Sequence, residues 1–362
     1  MNLLPDLLNF KNQYGSGLLK GATTLGDNVL TYILPKKPWR GPLYVDWEVT
    51  YACNSRCKYC NCWQMAEPKR ELNTKEALQV IKQLGEMGVW LLIFTGGEPL
   101  VRPDLHELIK EAKKQGMNVG INTNGSLLKK HAKMLVAREV DSITVTAESF
   151  KAEIHDNIRN FKGSFNYLLE GIEEIKKIRN NNKPKITVRM DFTKENYKDL
   201  KHYLNYWSNK VDGIIFQPIH QTTTTAKYIS TQDLRFEKKD YKSFREYFDK
   251  FIMNDKRFSN LYYKEFPTFF FTPQSLYKRY RCFAGYVFGQ IDPYGNVYSC
   301  TEYVHNAGNL RKKSFKNIWK GKNAETHRKI IREQKFTCKC WYYCTGPVNS
   351  YLSRILGMKS EK

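Results

Sequence analysis

The chain has 362 residues, 41% hydrophobic and 14% aromatic, and its 59 Lys and Arg against 36 Asp and Glu leave a formal charge of +23. That length exceeds what one small core needs, so two domains or a barrel with an extension are expected, and the apolar content excludes wholesale disorder. No apolar run approaches the length needed to span a bilayer, and the charge favours anionic partners (nucleotides, phospholipid surfaces, nucleic acid, acidic reductants) without choosing among them.

At the N-terminus, Leu3, Leu4, Leu7, Leu8 and Phe10 form one apolar helical face, and Leu25, Val29, Tyr32 and Ile33 another. Such faces either lie on a membrane surface or pack against their own domain. Leu43 to Thr50 reads as a strand running into a cysteine-rich loop. Asn73 and Glu76 predict a capping box for a helix through Val80, Ile81 and Leu84, ended by Gly88. Val89 to Thr95 is a continuous apolar run, as in a strand covered on both faces. Pro103 is placed to open the next helix. Strands follow at Asn118 to Asn122, Ser142 to Ala147, Lys185 to Phe192 and Asp212 to Gln217, with helices from Gly163 to Ile178 and Lys194 to Trp207.

Six strand-helix units in this order imply a parallel sheet with right-handed crossovers. A full eight-unit barrel needs about 250 residues, so the α/β reading is a partial, open (β/α)6 TIM-like barrel with its site at the C-terminal strand ends. The expected divisions are an N-terminal amphipathic segment (1–42), the barrel (43–220), an aromatic and Lys-rich connector (221–280), a small cysteine-bearing unit (281–347) and a tail (348–362). In the fourth, glycine turns and short strands replace the βα rhythm, and a segment that short seldom supplies its own core without a staple.

The nine cysteines fall into two groups, Cys53 to Cys62 and Cys282 to Cys344. This clustering suits metal ligation in a reducing compartment better than a disulfide framework. Cys53, Cys57 and Cys60 form Cys-x3-Cys-x2-Cys. Three thiolates can hold three irons of a 4Fe–4S cube, leaving the fourth open to a substrate or cofactor. Zinc is the competing reading, but it needs four ligands, and drafting Cys62 makes a cramped Cys-x-Cys bite. After the second strand comes Thr95-Gly96-Gly97-Glu98-Pro99. Two glycines at a strand end let a ligand approach the backbone, and a carboxylate just beyond could accept from an ammonium group.

This ordered set resembles the radical S-adenosylmethionine (SAM) superfamily. The resemblance implies a cluster at Cys53, Cys57 and Cys60 whose open iron is chelated by SAM. It implies that Gly96, Gly97 and Glu98 hold the methionine amino group, that Tyr59 lies near the adenine, and that Asn124, in Thr123-Asn124-Gly125, contributes a ligand contact. Glu148 and Ser149, ending the fourth strand, are candidates near the ribose and amino acid, in an order that differs from the family's. Arg159 matches an arginine that pairs with the SAM carboxylate, a task suited to a planar guanidinium, with Asn160 where glycine is usual. Cys282, Gly295-x4-Cys300, Gly308-Asn309-Leu310, Ser314 to Trp319 and Cys338-x-Cys340-x3-Cys344 resemble the SPASM/twitch extension. The five cysteines imply one auxiliary 4Fe–4S cluster held by Cys282, Cys300 and Cys344, with Cys338 and Cys340 competing for the fourth place. Cys62 is left as a spare or reactive thiol near the site.

The implied activity is reductive cleavage of SAM to a 5′-deoxyadenosyl radical that abstracts hydrogen from a small metabolite, lipid or peptide side chain, with no residue assigned a catalytic role. The implied partners are that substrate and an electron donor such as ferredoxin or flavodoxin, in the cytoplasm or peripherally at a membrane. The absence of a recognition domain before residue 40 counts against a leader-bearing peptide, and the charge with the apolar N-terminus favours an anionic or lipid-like substrate. The alternatives are a nucleic-acid-modifying or nucleic-acid-binding protein, for which only a faint cluster near Lys264, Lys278, Arg279 and Arg281 speaks, and an electron-transfer protein with four protein ligands per cluster.

Overall fold

A computed structural model describes residues 18–34, 37–219, 234–302, 305–333, 340–343 and 345–357. The apolar face of Leu3 to Phe10 lies outside them, as do Cys338 and Cys344.

Helix α1 (Leu18–Ile33) precedes β1 (Tyr44–Thr50), and α2 (Thr74–Glu86) follows the cysteine loop. The α2 capping box forms: the Asn73 side chain accepts from the Glu76 N–H at 3.0 Å, and the Glu76 carboxylate accepts from the Asn73 N–H at 2.9 Å. Then come β2 (Leu91–Gly96), α3 (Leu105–Lys114), β3 (Asn118–Thr123), α4 (Leu128–Ala137) and β4 (Ser142–Thr146). Next are α5 (Ala152–Arg159), α6 (Ser164–Ile178), β5 (Lys185–Phe192), α7 (Leu200–Trp207) and β6 (Gly213–Pro218).

Three local differences from the sequence reading have physical causes. Pro103 lies ahead of the α3 N-cap, Asp104, rather than at its first turn. The Asp104 carboxylate is taken by Arg102 at 2.7 Å instead of capping. Helices α4 and α5 were not anticipated: α4 is Lys-rich with only Leu128, Ala132 and Leu135 buried, and α5 has only eight residues. Asn160, where glycine is usual, adopts the left-handed conformation (φ 49°) that ends α5. Asn is the side chain that best tolerates that region.

β1 to β6 are parallel and adjacent in chain order, forming the partial barrel. The C-terminal segment extends this sheet. β7 (Phe288–Ile291) pairs in parallel with β1, and β8 (Asn296–Tyr298) and β9 (Asn306–Asn309) add antiparallel strands, giving the order β6-β5-β4-β3-β2-β1-β7-β8-β9. The expected small C-terminal unit thus shares the barrel's sheet and also contributes α8 (Phe315–Trp319), α9 (Lys322–Arg332) and α10 (Gly346–Ile355).

Period-2 alternation divides each strand. Val45, Trp47, Leu92, Phe94, Ile143, Val145, Val188 and Met190 face the helices in the main core. Tyr44, Asp46, Glu48, Thr95, Thr144, Thr187 and Arg189 face the barrel interior. A second apolar cluster joins Tyr44, Leu91 and Ile93 to Phe283, Val287 and Phe288. Helix α1 uses its apolar face here: Leu25 and Val29 pack on the cluster and the Tyr32 ring lies 4.2 Å from Phe283, while Ile33 stays 44% exposed. No helix among the described residues is long and apolar enough to cross a membrane.

Candidate active site

The cysteine loop leaves β1 at Thr50 and stands over the C-terminal strand ends. Cys53, Cys57 and Cys60 line one cavity of about 170 Å³, together with Gly96, Gly97 and Arg159. The loop is held by its own backbone, with Ser55 N–H on Cys53 Sγ at 3.4 Å and Cys60 N–H on Cys57 O at 3.2 Å. It is also held from β3: the Asn124 amide donates to Asn54 Oδ1 at 2.8 Å and to Ser55 Oγ at 3.3 Å. Asn124 lines the cavity, but its amide braces the cysteine loop.

Burial pushes the Cys53 thiol up and Cys57 up to about 12, and Arg159 opposes both shifts. Cys60 is drawn down to about 7, chiefly by a hydrogen bond from the Cys62 side chain, against the effect of burial. Cys62 therefore supports Cys60, and it lines the same cavity. Among the described residues no three His, Cys, Asp or Glu side chains converge on a single-ion position. Thiols spread around one cavity beside a guanidinium fit a multi-iron cluster, whose ligands bind separate irons, rather than one tetrahedral ion.

The two glycines answer a different demand from the one read in the sequence. A Cβ on Gly96 (φ 129°) would lie 2.2 Å from Thr50 O, and one on Gly97 would lie 2.3 Å from Ala52 O. The backbone that approaches them is the chain's own, where β1 enters the cysteine loop. Gly97 N–H donates to Thr50 O at 2.8 Å and Glu98 N–H to Ala52 O at 2.9 Å. Glu98 is fully buried behind the cavity wall and already has three donors: Leu100 N–H at 3.0 Å, the Thr123 hydroxyl at 2.8 Å and Asn124 N–H at 2.8 Å. Its carboxylate ties β2 to the end of β3.

Tyr59, Glu148 and Arg159 converge. The Tyr59 hydroxyl donates to Glu148 Oε1, and Arg159 Nη1 lies 3.0 Å from the Tyr59 oxygen and 3.4 Å from Glu148 Oε1. Burial and nearby Asp191 push Glu148 up to about 7, while Arg159 pulls it back. Tyr59 and Arg159 line the cavity, and Glu148 supports them from behind. Ser149 is buried and serves the turn into α5, its hydroxyl accepting from Lys151 N–H at 3.1 Å.

Sequence reasoning missed Arg189, Asp191 and Gln217, which also line the cavity. Arg189 Nε lies 3.5 Å from Asp191 Oδ1, and the Gln217 amide lies 3.4 Å from the same oxygen. The available signal for Arg189 and Asp191 was the polar face of β5, where Lys185, Thr187, Arg189 and Asp191 alternate with apolar residues. Below the cavity lies a chamber of about 680 Å³. Glu48, Thr95, Asn122, Arg189 and Gln217 line both spaces. Tyr342 and Tyr343 close one side of the chamber. They are held there by Tyr343 N–H on Gln217 Oε1 at 3.4 Å and Trp341 Nε1 on Tyr262 O at 2.9 Å.

In the C-terminal segment, Cys300 is buried and Cys282 and Cys340 are half-buried. Burial pushes Cys282 up to about 12, with Cys340 close enough to add to the shift. Glu302 N–H donates to Cys300 Sγ at 3.3 Å, and Cys340 Sγ lies 3.6 Å from Thr345 Oγ1.

The family model for the radical SAM superfamily matches residues 47–206, and the model for the iron–sulfur cluster-binding SPASM domain matches residues 282–345. The chain is 27% identical over 317 residues to an AdoMet-dependent heme synthase of Methanosarcina barkeri, covering 83% of this chain and 87% of that protein. It is 26% identical over 303 residues to mycofactocin maturase MftC of Mycolicibacterium smegmatis, covering 81% of this chain and 72% of the relative. Streptococcus suis SuiB bound to S-adenosylmethionine shares the fold at a TM-score of 0.61 and 15% identity, over 79% of this chain and 67% of SuiB.

Proposed function

Because the chain belongs to the radical SAM superfamily and carries a SPASM domain, we propose that Cys53, Cys57 and Cys60 hold its SAM-binding cluster and that the chamber beneath receives the substrate. The enzyme's chemistry, supplied by the bound cluster and SAM, is reductive cleavage of SAM to a 5′-deoxyadenosyl radical that abstracts hydrogen from the substrate.

The chain's own residues orient and exclude. Arg159 is the guanidinium on the cavity wall and pairs with the SAM carboxylate, with Tyr59 and Glu148 fixing its position. The backbone of Gly96 and Gly97 forms the wall that meets the methionine amino group, and Glu98 keeps that wall rigid from behind. Asn124 holds the cysteine loop over the strand ends. Tyr342 and Tyr343 keep water from the chamber, where a stray hydrogen donor would divert the reaction. Cys282, Cys300 and Cys344, with Cys338 or Cys340, hold the auxiliary cluster. The enzyme needs a one-electron reductant, and a small acidic carrier such as ferredoxin or flavodoxin complements a chain of charge +23.

One observation carries this reading: three thiols, two closely packed glycines and a buried arginine surround a single cavity that shares its wall with the barrel chamber. Anaerobic reconstitution with iron and sulfide, followed by reductant and SAM, should yield 5′-deoxyadenosine, with iron near eight per chain if both cubes form. Changing Cys53, Cys57 and Cys60 together to Ala should abolish it, while Cys62→Ala should keep its iron. SAM cleavage that survives the triple change would overturn the assignment.

A further inference from the structure

The chain is strongly basic overall, yet the chamber lining balances its charges, with Asp46, Glu48 and Asp212 against Lys185, Arg189 and Arg257. Asp46 and Glu48 occupy alternate positions of β1 on the face that lines the chamber. Glu48 accepts from the Tyr51 hydroxyl at 3.2 Å. Asp46 has an oxygen, Oδ1, that is buried without a hydrogen-bond partner. Its register neighbours are Ile93 on β2 and Gln290 on β7, neither of them a cation.

Arg189 attracts the Asp46 carboxylate through space without pairing with it, and the other chamber cations are engaged elsewhere or stand apart. Arg189 faces Asp191 at 3.5 Å and donates to Thr146 Oγ1 at 3.0 Å. Arg257 is forked onto Asp255, its Nη2 2.6 Å from Oδ2. Lys185 begins β5, four strands along the sheet from β1. Asp46 makes no ion pair among the described residues, and burial with Glu48 beside it pushes its carboxyl up to about 7 against the pull of Arg189. A carboxylate oxygen buried without a partner is costly, and a ligand cation would offset that cost.

Resting on the chamber's role as the substrate site, we propose that it takes a substrate bearing a protonated nitrogen, an amine or guanidine, seated against Asp46 with Glu48 beside it. Glu48 lines both the chamber and the cysteine cavity, whereas Asp46 lines the chamber alone. The nitrogen is therefore held at the deeper position and the rest of the substrate extends toward the cysteines. One pleat of strand separates the two carboxylates, so the reacting carbon lies on the order of 7 Å or more from the nitrogen. The preference for anionic substrates read from net charge is a property of the surface. The chamber selects the opposite sign.

The test titrates the full-length, anaerobically reconstituted protein with n-pentylamine and with pentanoate, equal chains of opposite charge, by calorimetry. The amine should bind at least about tenfold more tightly than the carboxylate, and Asp46→Asn should lower amine affinity by at least about tenfold with little effect on pentanoate. Circular dichroism checks the fold of the variant, and Glu48→Gln replaces it if Asp46→Asn does not fold. Equal binding of the two probes, a preference for pentanoate, or unchanged amine affinity in the folded variant overturns the proposal. Formation of 5′-deoxyadenosine by the unaltered protein is measured in parallel. Its absence would defeat the radical SAM assignment of this site, whereas its presence without amine selectivity would defeat only the chamber's proposed ligand class.

Discussion

Arg159 and Tyr59 are 100 positions apart in the chain, and the Arg159 guanidinium reaches the Tyr59 hydroxyl at 3.0 Å. Glu148 completes the contact from behind. The arrangement points a buried cation at the cysteine cavity and holds it by two groups from different elements. Arg159→Met leaves Glu148 buried without its cation. Breaking such a pair costs about 3 kcal/mol, and here the loss should be smaller at acid pH, where Glu148 is protonated, than at alkaline pH. Urea unfolding at both ends of that range checks this, and equilibrium binding should show SAM affinity falling at least about tenfold. A destabilisation independent of pH would mean that Glu148 does not carry the charge.

Gly96→Ala should be severe, because the nearest atom to the added Cβ is backbone, Thr50 O at 2.2 Å, and the position has φ 129°. We expect a loss of more than about 3 kcal/mol together with poor iron retention. Gly26→Ala, at an exposed position of α1 with nothing within 4 Å of the new Cβ, should instead stabilise by about 0.5–1 kcal/mol. Thermal melts and iron assays of the pair distinguish backbone crowding from a general intolerance of alanine.

Glu98→Gln is isosteric yet should destabilise by about 1–3 kcal/mol. Both carboxylate oxygens accept: Oε1 from Leu100 N–H and the Thr123 hydroxyl, Oε2 from Asn124 N–H. An amide in either orientation sets its NH2 against a backbone donor. If the variant melts like the parent, the carboxylate does not brace β2 against β3.

His155 is fully buried, and burial, with Arg159 nearby, lowers its pKa from 6.5 to about 3. Its Nδ1 accepts from Glu148 N–H at 3.2 Å, so the neutral ring carries its proton on Nε2. The folded state disfavours the imidazolium, so this contribution is complete above pH 6.5 and is lost as pH falls from 6.5 toward 3. The window spans on the order of 5 kcal/mol. His155→Gln keeps an acceptor and removes the titration, so unfolding free energy measured through that window should fall less steeply than in the parent.

Much of this was legible because it is local. The α2 capping box depends on two residues three apart, and the strands depend on short apolar runs. What was not legible depends on distant partners. Nothing near Gly96 in the sequence shows that its crowding neighbour is the Thr50 carbonyl, and nothing near Glu98 shows that its oxygens are already taken from β3. Helix α5 escaped because it is only eight residues long, whereas α4 does show helical spacing at Leu128, Ala132 and Leu135 and was passed over among its lysines. The segment after Cys282 was read as separate because its strands are short, although β7 gains its partner from β1, more than 200 positions earlier.

The sequence alone determined the alternating βα order and the cysteine spacings, since hydrophobic period and ligand spacing are properties of neighbouring residues. Tertiary structure decided which face of each strand looks inward, and hence that Asp46 and Glu48 share a chamber with Arg189 and Gln217. Period-2 alternation names two faces without saying which is the interior. That choice is made when the sheet curls and the helices cover the other side, a matter of long-range packing that no short window contains.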